Sequence, residues 1–125
     1  MKEDLERTFL DETEHVFNIE VAGDKEKDQI IGFVWYNISE GESLWLTSLV
    51  LRKDFQGKGI GSRILFMLEE EALRNGLRVI ELGVQKLNKV ALEFYRRNGF
   101  QEGEDLAYAG TILMQKHTEQ KIPRR

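Results

Sequence analysis

The sequence predicts one domain of the mixed α+β class. Three β-rich segments follow one another between residues 16 and 51 with short polar turns between them. From Ile60 onward the apolar residues change to a helical period. The size agrees with both observations: 125 residues with one proline and no cysteine suit a single hydrophobic core.

Residues 2–12 read as a short helix, with Leu5, Phe9 and Leu10 at helical spacing. Val16 to Val21 partly alternates and ends at Ala22-Gly23-Asp24, a strand entering a polar turn. Lys25 to Asp28 is all charge and forms a loop tip. Gln29 to Ser39 is a β-branched and aromatic run closed by Glu40-Gly41-Glu42, and Ser43 to Leu51 is a third strand. Three such strands in succession make an antiparallel meander. Ile60, Ile64, Leu65, Leu68, Ala72 and Leu73 then mark an amphipathic helix that stops at Gly76. Leu77 to Val84 is a strand, so strand, helix and strand form a right-handed parallel crossover. Asn88 to Asn98 is a second helix stopped by Gly99. Phe100 to Leu106 and Gly110 to His117 are the final strands, and residues 118–125 read as a flexible tail.

Composition narrows the function. Hydrophobic residues make up 41% and charged residues 32%, the balance of a soluble globular protein. The absence of cysteine removes disulfides, thiolate metal sites and cysteine nucleophiles together. The longest apolar run, Ile30 to Tyr36, is too short to span a bilayer, and MKEDLERTFL lacks a signal-peptide core. A cytoplasmic protein is expected, with no membrane partner. The net charge of −4 argues against nucleic acid as a partner. Residues 1–50 hold 12 acids and 4 bases, whereas residues 51–125 hold 10 acids and 14 bases, so the halves are expected to face different things. Chance clustering on a solvated surface produces the same asymmetry.

The informative segment is Gln56-Gly57-Lys58-Gly59-Ile60-Gly61-Ser62-Arg63, between a strand and a helix. A helix N-terminus offers unpaired N–H groups and partial positive charge, and glycines let the backbone approach a ligand closely. The combination suits a phosphate group, with Lys58 and Arg63 nearby. The spacing fits neither a P-loop nor the dinucleotide fingerprint: Gly-Lys-Ser/Thr never occurs, and Gly57-x-Gly59-x-Gly61 has no glycine at the third required place. Taken alone, the segment is equally compatible with a ligand-free strand-to-helix turn.

Other constellations carry little. His15 and His117 are the only histidines, read as surface or strand-end residues, and no paired-His spacing suggests a metal. No GxSxG precedes a helix, so an acyl-serine mechanism has no support.

Gln56-x-x-Gly59-x-Gly61 resembles the Gln/Arg-x-x-Gly-x-Gly/Ala signature of the GNAT N-acetyltransferase superfamily. The resemblance continues through Leu49-Val50-Leu51 and Leu82-Gly83-Val84. It ends in Asn88 to Phe100, which is similar to the family's Asn-x-x-Ala…Tyr-x-x-x-Gly-Phe segment at matching spacing. It covers residues 16–117 in the right order. The resemblance implies a GNAT-like mixed sheet, with its antiparallel N-terminal meander, flanking helices, and a splay after Leu49–Leu51 that the cofactor fills. It further implies direct transfer of the acetyl group of acetyl-CoA to a primary amine, of a small molecule or a protein. By that resemblance the backbone of Leu49, Val50 and Leu51 pairs with the pantetheine arm, and the N–H groups of Gln56, Gly57, Lys58, Gly59, Ile60, Gly61 and Ser62 hold the pyrophosphate. Asn88 positions the cofactor arm, and Tyr95 stands where the family often has its general acid. Asn88 and Tyr95 are seven residues apart, on one helix face and about 10.5 Å apart along its axis. A packed aromatic beside Phe94 is the other reading of Tyr95.

Two departures from the family pattern stand out. The N-terminal region is short, so part of the acceptor-side wall is expected to be trimmed or supplied by a partner chain. Val16 to Val21 would then be an exposed sheet edge, for which a homodimer is expected. Leu46-Thr47-Ser48-Leu49 carries no Glu where many members place a base. Glu81 and Glu20 are the substitutes, and both are equally readable as solvated strand-face charges. Two other functions compete with catalysis: a catalytically silent acyl-CoA sensor or interaction module on the same fold, and an unrelated phosphate-binding module, which needs neither Asn88 nor Tyr95.

Overall fold

Alternating β-branched and aromatic side chains between residues 14 and 51 build the expected meander. The computed structural model describes residues 2–3, 13–21, 29–38, 42–106 and 110–118, with the backbone alone at 2–3 and 104–106. In chain order the elements are β1 (Lys2–Glu3), β2 (Glu14–Val21), β3 (Gln29–Ile38), β4 (Ser43–Leu51), a single 3-10 turn (Lys53–Phe55), α1 (Ile60–Arg74), β5 (Val79–Gln85), α2 (Lys89–Arg97), β6 (Gln101–Leu106) and β7 (Thr111–His117). The strands form one sheet in the order β1-β2-β3-β4-β5-β7-β6. All neighbours are antiparallel except β4 and β5. The parallel crossover expected through α1 is therefore present, and β7 inserts between β5 and β6. Among the described residues no helix is long and apolar enough to cross a membrane.

Three sequence expectations need correction. Lys2 and Glu3 pair with Phe17 and Asn18 as a strand, not a helix, because backbone pairing along β2 prevails over the local helical spacing; residues 4–12 of that expected helix lie outside the described residues. Consequently β2 is not the sheet edge, since β1 covers part of it. Thr118 belongs to the folded body and not to a tail. It is fully buried, its hydroxyl donates to the Leu77 carbonyl at 2.9 Å, and its N–H donates to the Arg78 carbonyl at 2.9 Å. The rest of the expected tail lies outside the described residues. His15 stands at the start of β2, as expected of a strand-end residue, and stacks on Tyr36 with ring centroids 5.0 Å apart.

Both crossovers advance in the same direction across the sheet, so α1 and α2 cover the same face. Ile64, Leu65, Leu68 and Ala72 of α1 and Leu92 of α2 pack there on Val34, Leu44, Leu46, Ile80, Leu82, Val84 and Met114. The other face has no described helix.

Gly32 permits the β3–β4 contact. A Cβ at this position would stand 2.0 Å from the Val50 carbonyl oxygen, a backbone atom that cannot turn away. We expect Gly32→Ala to destabilise the fold by about 3 kcal/mol, the upper end of overpacking costs, read as a lower urea midpoint with an unchanged slope.

Candidate active site

The site begins where the sheet comes apart. β4 and β5 pair only from Ser43↔Val79 to Leu46↔Leu82. At that point the β3–β4 register slips: Tyr36 pairs with Leu46 but Trp35 pairs with Ser48, leaving Thr47 as a bulged residue. A bulge bends its strand and changes which side chains face inward. Leu44 and Leu46 face the core before it, and Leu49 and Leu51 pack against the core after it. β4 thus leaves β5 while staying paired with β3.

This divergence exposes one backbone edge of β4. The Arg52 N–H donates to the Ile31 carbonyl at 2.7 Å. Antiparallel alternation then turns Val50 and Ser48 towards β3, and turns the N–H and C=O groups of Leu49 and Leu51 towards the gap. The Leu51 carbonyl already accepts from Gln56 Nε2 at 2.9 Å. Leu49 and Leu51 therefore face the gap unpaired by a strand, whereas Val50, expected with them to hold the cofactor arm, has its N–H and C=O turned to β3.

The glycine turn follows directly. Gly57 and Gly59 have φ of +74° and +85°, the left-handed region that glycine adopts without strain. The N–H of Arg63 is the first to close a helical bond, donating to the Gly59 carbonyl at 3.1 Å. The N–H groups of Gly57, Lys58, Gly59, Ile60, Gly61 and Ser62 make no backbone hydrogen bond to any described residue. These six donors gather at the positive end of α1, an arrangement that fits a pyrophosphate. Gln56 does not join them. Its N–H donates to the Lys53 carbonyl at 3.2 Å, and its side chain ties the turn back to β4. Gly61 also serves packing. A Cβ there would stand 2.9 Å from Phe94 Cζ, so this glycine lets α2 close on α1.

Asn88 is the N-cap of α2, and its Oδ1 accepts from the Ala91 N–H at 3.1 Å. Capping uses the oxygen and leaves the amide Nδ2 as a donor. Tyr95, two turns on, is held edge-on between Phe94 and Phe100 at centroid distances of 5.0 and 5.5 Å. Burial pushes its hydroxyl pKa up to about 12. No hydrogen bond to another described residue engages that hydroxyl.

On the face opposite α1 and α2, the registers align Glu14, Asn37, Trp45, Glu81 and Gln115 in one row across five strands. Gln115 Nε2 donates to Glu81 Oε2 at 2.6 Å. Asn37 Nδ2 donates to Glu14 Oε2 at 2.8 Å, and Trp35 Nε1 donates to Glu14 Oε1 at 2.7 Å. Glu81 adjoins Leu82, the last paired residue before the gap, whereas Glu20 lies on β2, with β3 between it and β4. The structure therefore brings Glu81 to the divergence and leaves Glu20 apart. Sequence reasoning missed the Thr47 bulge, Trp45 and Gln115. Only Trp45 had a signal, its outward phase between inward Leu44 and Leu46.

Residues 1–100 match the Acetyltransferase (GNAT) family, and the chain belongs to it. Among its relatives, an uncharacterized N-acetyltransferase of Methanocaldococcus jannaschii is 39% identical over 80 residues, 59% of this chain and 35% of that protein. The thialysine N-ε-acetyltransferase of Bos taurus is 27% identical over 88 residues, 67% of this chain and 52% of that protein. The chain thus spans about half the length, or less, of these curated relatives. The crystal structure of the PaiA N-acetyltransferase of Thermoplasma acidophilum in complex with coenzyme A superposes with a TM-score of 0.72 at 25% identity, over 89% of this chain and 65% of that one.

The cap gives a test of the local geometry. Asn88→Ala should cost about 1 kcal/mol of stability, whereas Asn88→Asp should keep the cap and the melting temperature while losing the amide donor.

Proposed function

We propose that the protein is an acetyl-CoA-dependent N-acetyltransferase acting directly on a primary amine. One observation carries this reading: the edge of Leu49 and Leu51 that β5 leaves runs into a turn whose six N–H groups make no backbone hydrogen bond to a described residue, so one continuous backbone track suits both parts of a phosphopantetheine ligand. When bound, acetyl-CoA supplies an activated thioester.

The other steps belong to the protein. Leu49 and Leu51 orient the arm by strand-like hydrogen bonds, Asn88 Nδ2 donates along it, and residues 57–62 hold the diphosphate. Tyr95 donates a hydrogen bond to the sulfur as negative charge develops there. A hydroxyl with pKa about 12 stays protonated throughout the working range, but full transfer of its proton to a thiolate of ordinary pKa about 8.5 runs uphill by roughly 5 kcal/mol. Tyr95 therefore acts by donating a hydrogen bond, and the thiol takes its proton from solvent. Glu81, held by Gln115 beside the gap, is the base that receives the proton from the attacking amine, directly or through water. The 12 acids among residues 1–50 favour a cationic acceptor over an anionic one.

Isothermal calorimetry with acetyl-CoA and release of free thiol across a panel of amines test the reading together. Binding with no turnover would make the protein an acyl-CoA sensor instead. Gly59→Glu should abolish binding, since it places bulk and negative charge in the turn and puts a side chain on a left-handed backbone. Tyr95→Phe should lower kcat on the order of 10²-fold with little change in KM, because the hydrogen bond strengthens only as charge develops. Retention of full kcat would reduce Tyr95 to a packed aromatic.

The pH profile has a defined sign. A lysine-like amine with pKa about 10.4 is neutral in roughly one molecule in 2,500 at pH 7, so kcat/KM should rise about tenfold per pH unit from 7 to 9. Tyr95 loses its donor proton only near pH 12, so it should produce no fall in rate below about pH 11.

A further inference from the structure

Helix α1 is amphipathic towards the sheet, yet its outer face is also apolar at its middle. Phe66 is 55% exposed and Met67 42% exposed, opposite the buried line of Ile64, Leu65, Leu68 and Ala72. Arg63 and Glu70 flank them, both exposed, and neither forms an ion pair with a described residue. These four positions are i, i+3, i+4 and i+7, the four corners of a hole that receives a side chain from a facing helix. They line a shallow depression on the helix surface together with Ser62.

The pattern is its own complement when reversed. In an antiparallel pair of α1 helices with its two-fold axis between Phe66 and Met67, Arg63 of each copy faces Glu70 of the other. Phe66 meets Met67, and the exposed Leu73 meets Ile60. A two-fold interface requires this self-complementarity of a single patch. A parallel pair in register would instead set Arg63 against Arg63 and Glu70 against Glu70.

We propose that the outer face of α1 is the contact surface of a homodimer, with a second copy of this chain as its occupant. The dimer expected from an exposed β2 edge thus moves to a helix face, because β1 covers part of that edge. The contact is one 15-residue helix from each copy, about 22 Å long, which is small for a permanent interface. The dimer is accordingly weak and dissociates on dilution.

Sedimentation velocity over a wide concentration range tests this, with circular dichroism to confirm folding. The wild-type weight-average mass should rise from one chain towards two. Phe66→Glu should remain monomeric at every concentration with an unchanged melting temperature. Arg63→Glu and Glu70→Arg should each lose the dimer through like-charge contacts, and the double variant should regain it, because the exchanged charges again face each other across the axis. A wild-type protein that stays monomeric, a dimer that survives Phe66→Glu, or a double variant that fails to recover would each overturn the proposal.

Discussion

The parting of β4 from β5 after Leu46 and Leu82 is the constraint on which the rest of the site depends. Inside a sheet, a strand edge satisfies its N–H and C=O groups with its neighbour. Here four residues of parallel pairing are followed by an edge with no neighbour, which only solvent or a ligand can satisfy. Thr47 creates this state without loss of the core. The extra residue bends β4 and restores the inward phase at Leu49 and Leu51, so hydrophobic packing continues although hydrogen bonding to β5 has stopped. Gln56 then closes the edge at its far end by occupying the Leu51 carbonyl. Between the bulge and that bond, the backbone offers a short and defined ladder.

The helices convert this opening into a site of fixed shape. Phe94 seats on Gly61, so the first turn of α1 and the middle of α2 meet at a contact with no room for a Cβ. The same α2 carries the Asn88 cap at its start and Tyr95 two turns on. The glycine turn, the capping amide and the phenol are therefore coupled through one packed junction. The aromatic contacts around Tyr95, each worth about 0.5–1.5 kcal/mol, fix the ring, and the burial they cause also raises its pKa. Packing and chemistry have the same cause here: the groups that hold the phenol also keep it protonated.

Local signals were legible wherever a residue's role depends on its near neighbours. The hydrophobic period of α1, Gly76 and Gly99 as helix stops, and Asn88 at a helix start all express interactions within a few residues. The glycine turn was legible for the same reason, since left-handed φ at Gly57 and Gly59 is a property of the residues themselves. What escaped depends on distant pairing. The Thr47 bulge exists only relative to β3, and Gln115 meets Glu81 across 34 residues because β7 inserts beside β5. Residues 2 and 3 form a strand because β2 offers an edge, which no pattern within those residues records. Gln56 shows the middle case. Its position in the motif was readable, but its bond to Leu51 required the fold.

The two faces of the sheet divide the proposed reaction. α1, α2 and the core fill one face. The other face presents Trp45, Glu81 and Gly83 around the gap. Gly83 is the first residue of β5 past the paired segment, and a Cβ there would stand 3.0 Å from Thr111 Cγ2 and 4.0 Å from Trp45 Cη2. Glycine at this position lets Thr111 close against β5, two residues from Glu81. Trp45 and Glu81 border the gap on this face, while Tyr95 belongs to the helix layer across the sheet. In the reaction proposed above, the candidate base Glu81 and the candidate sulfur donor Tyr95 thus stand on opposite faces, so a group received by one need not displace the other.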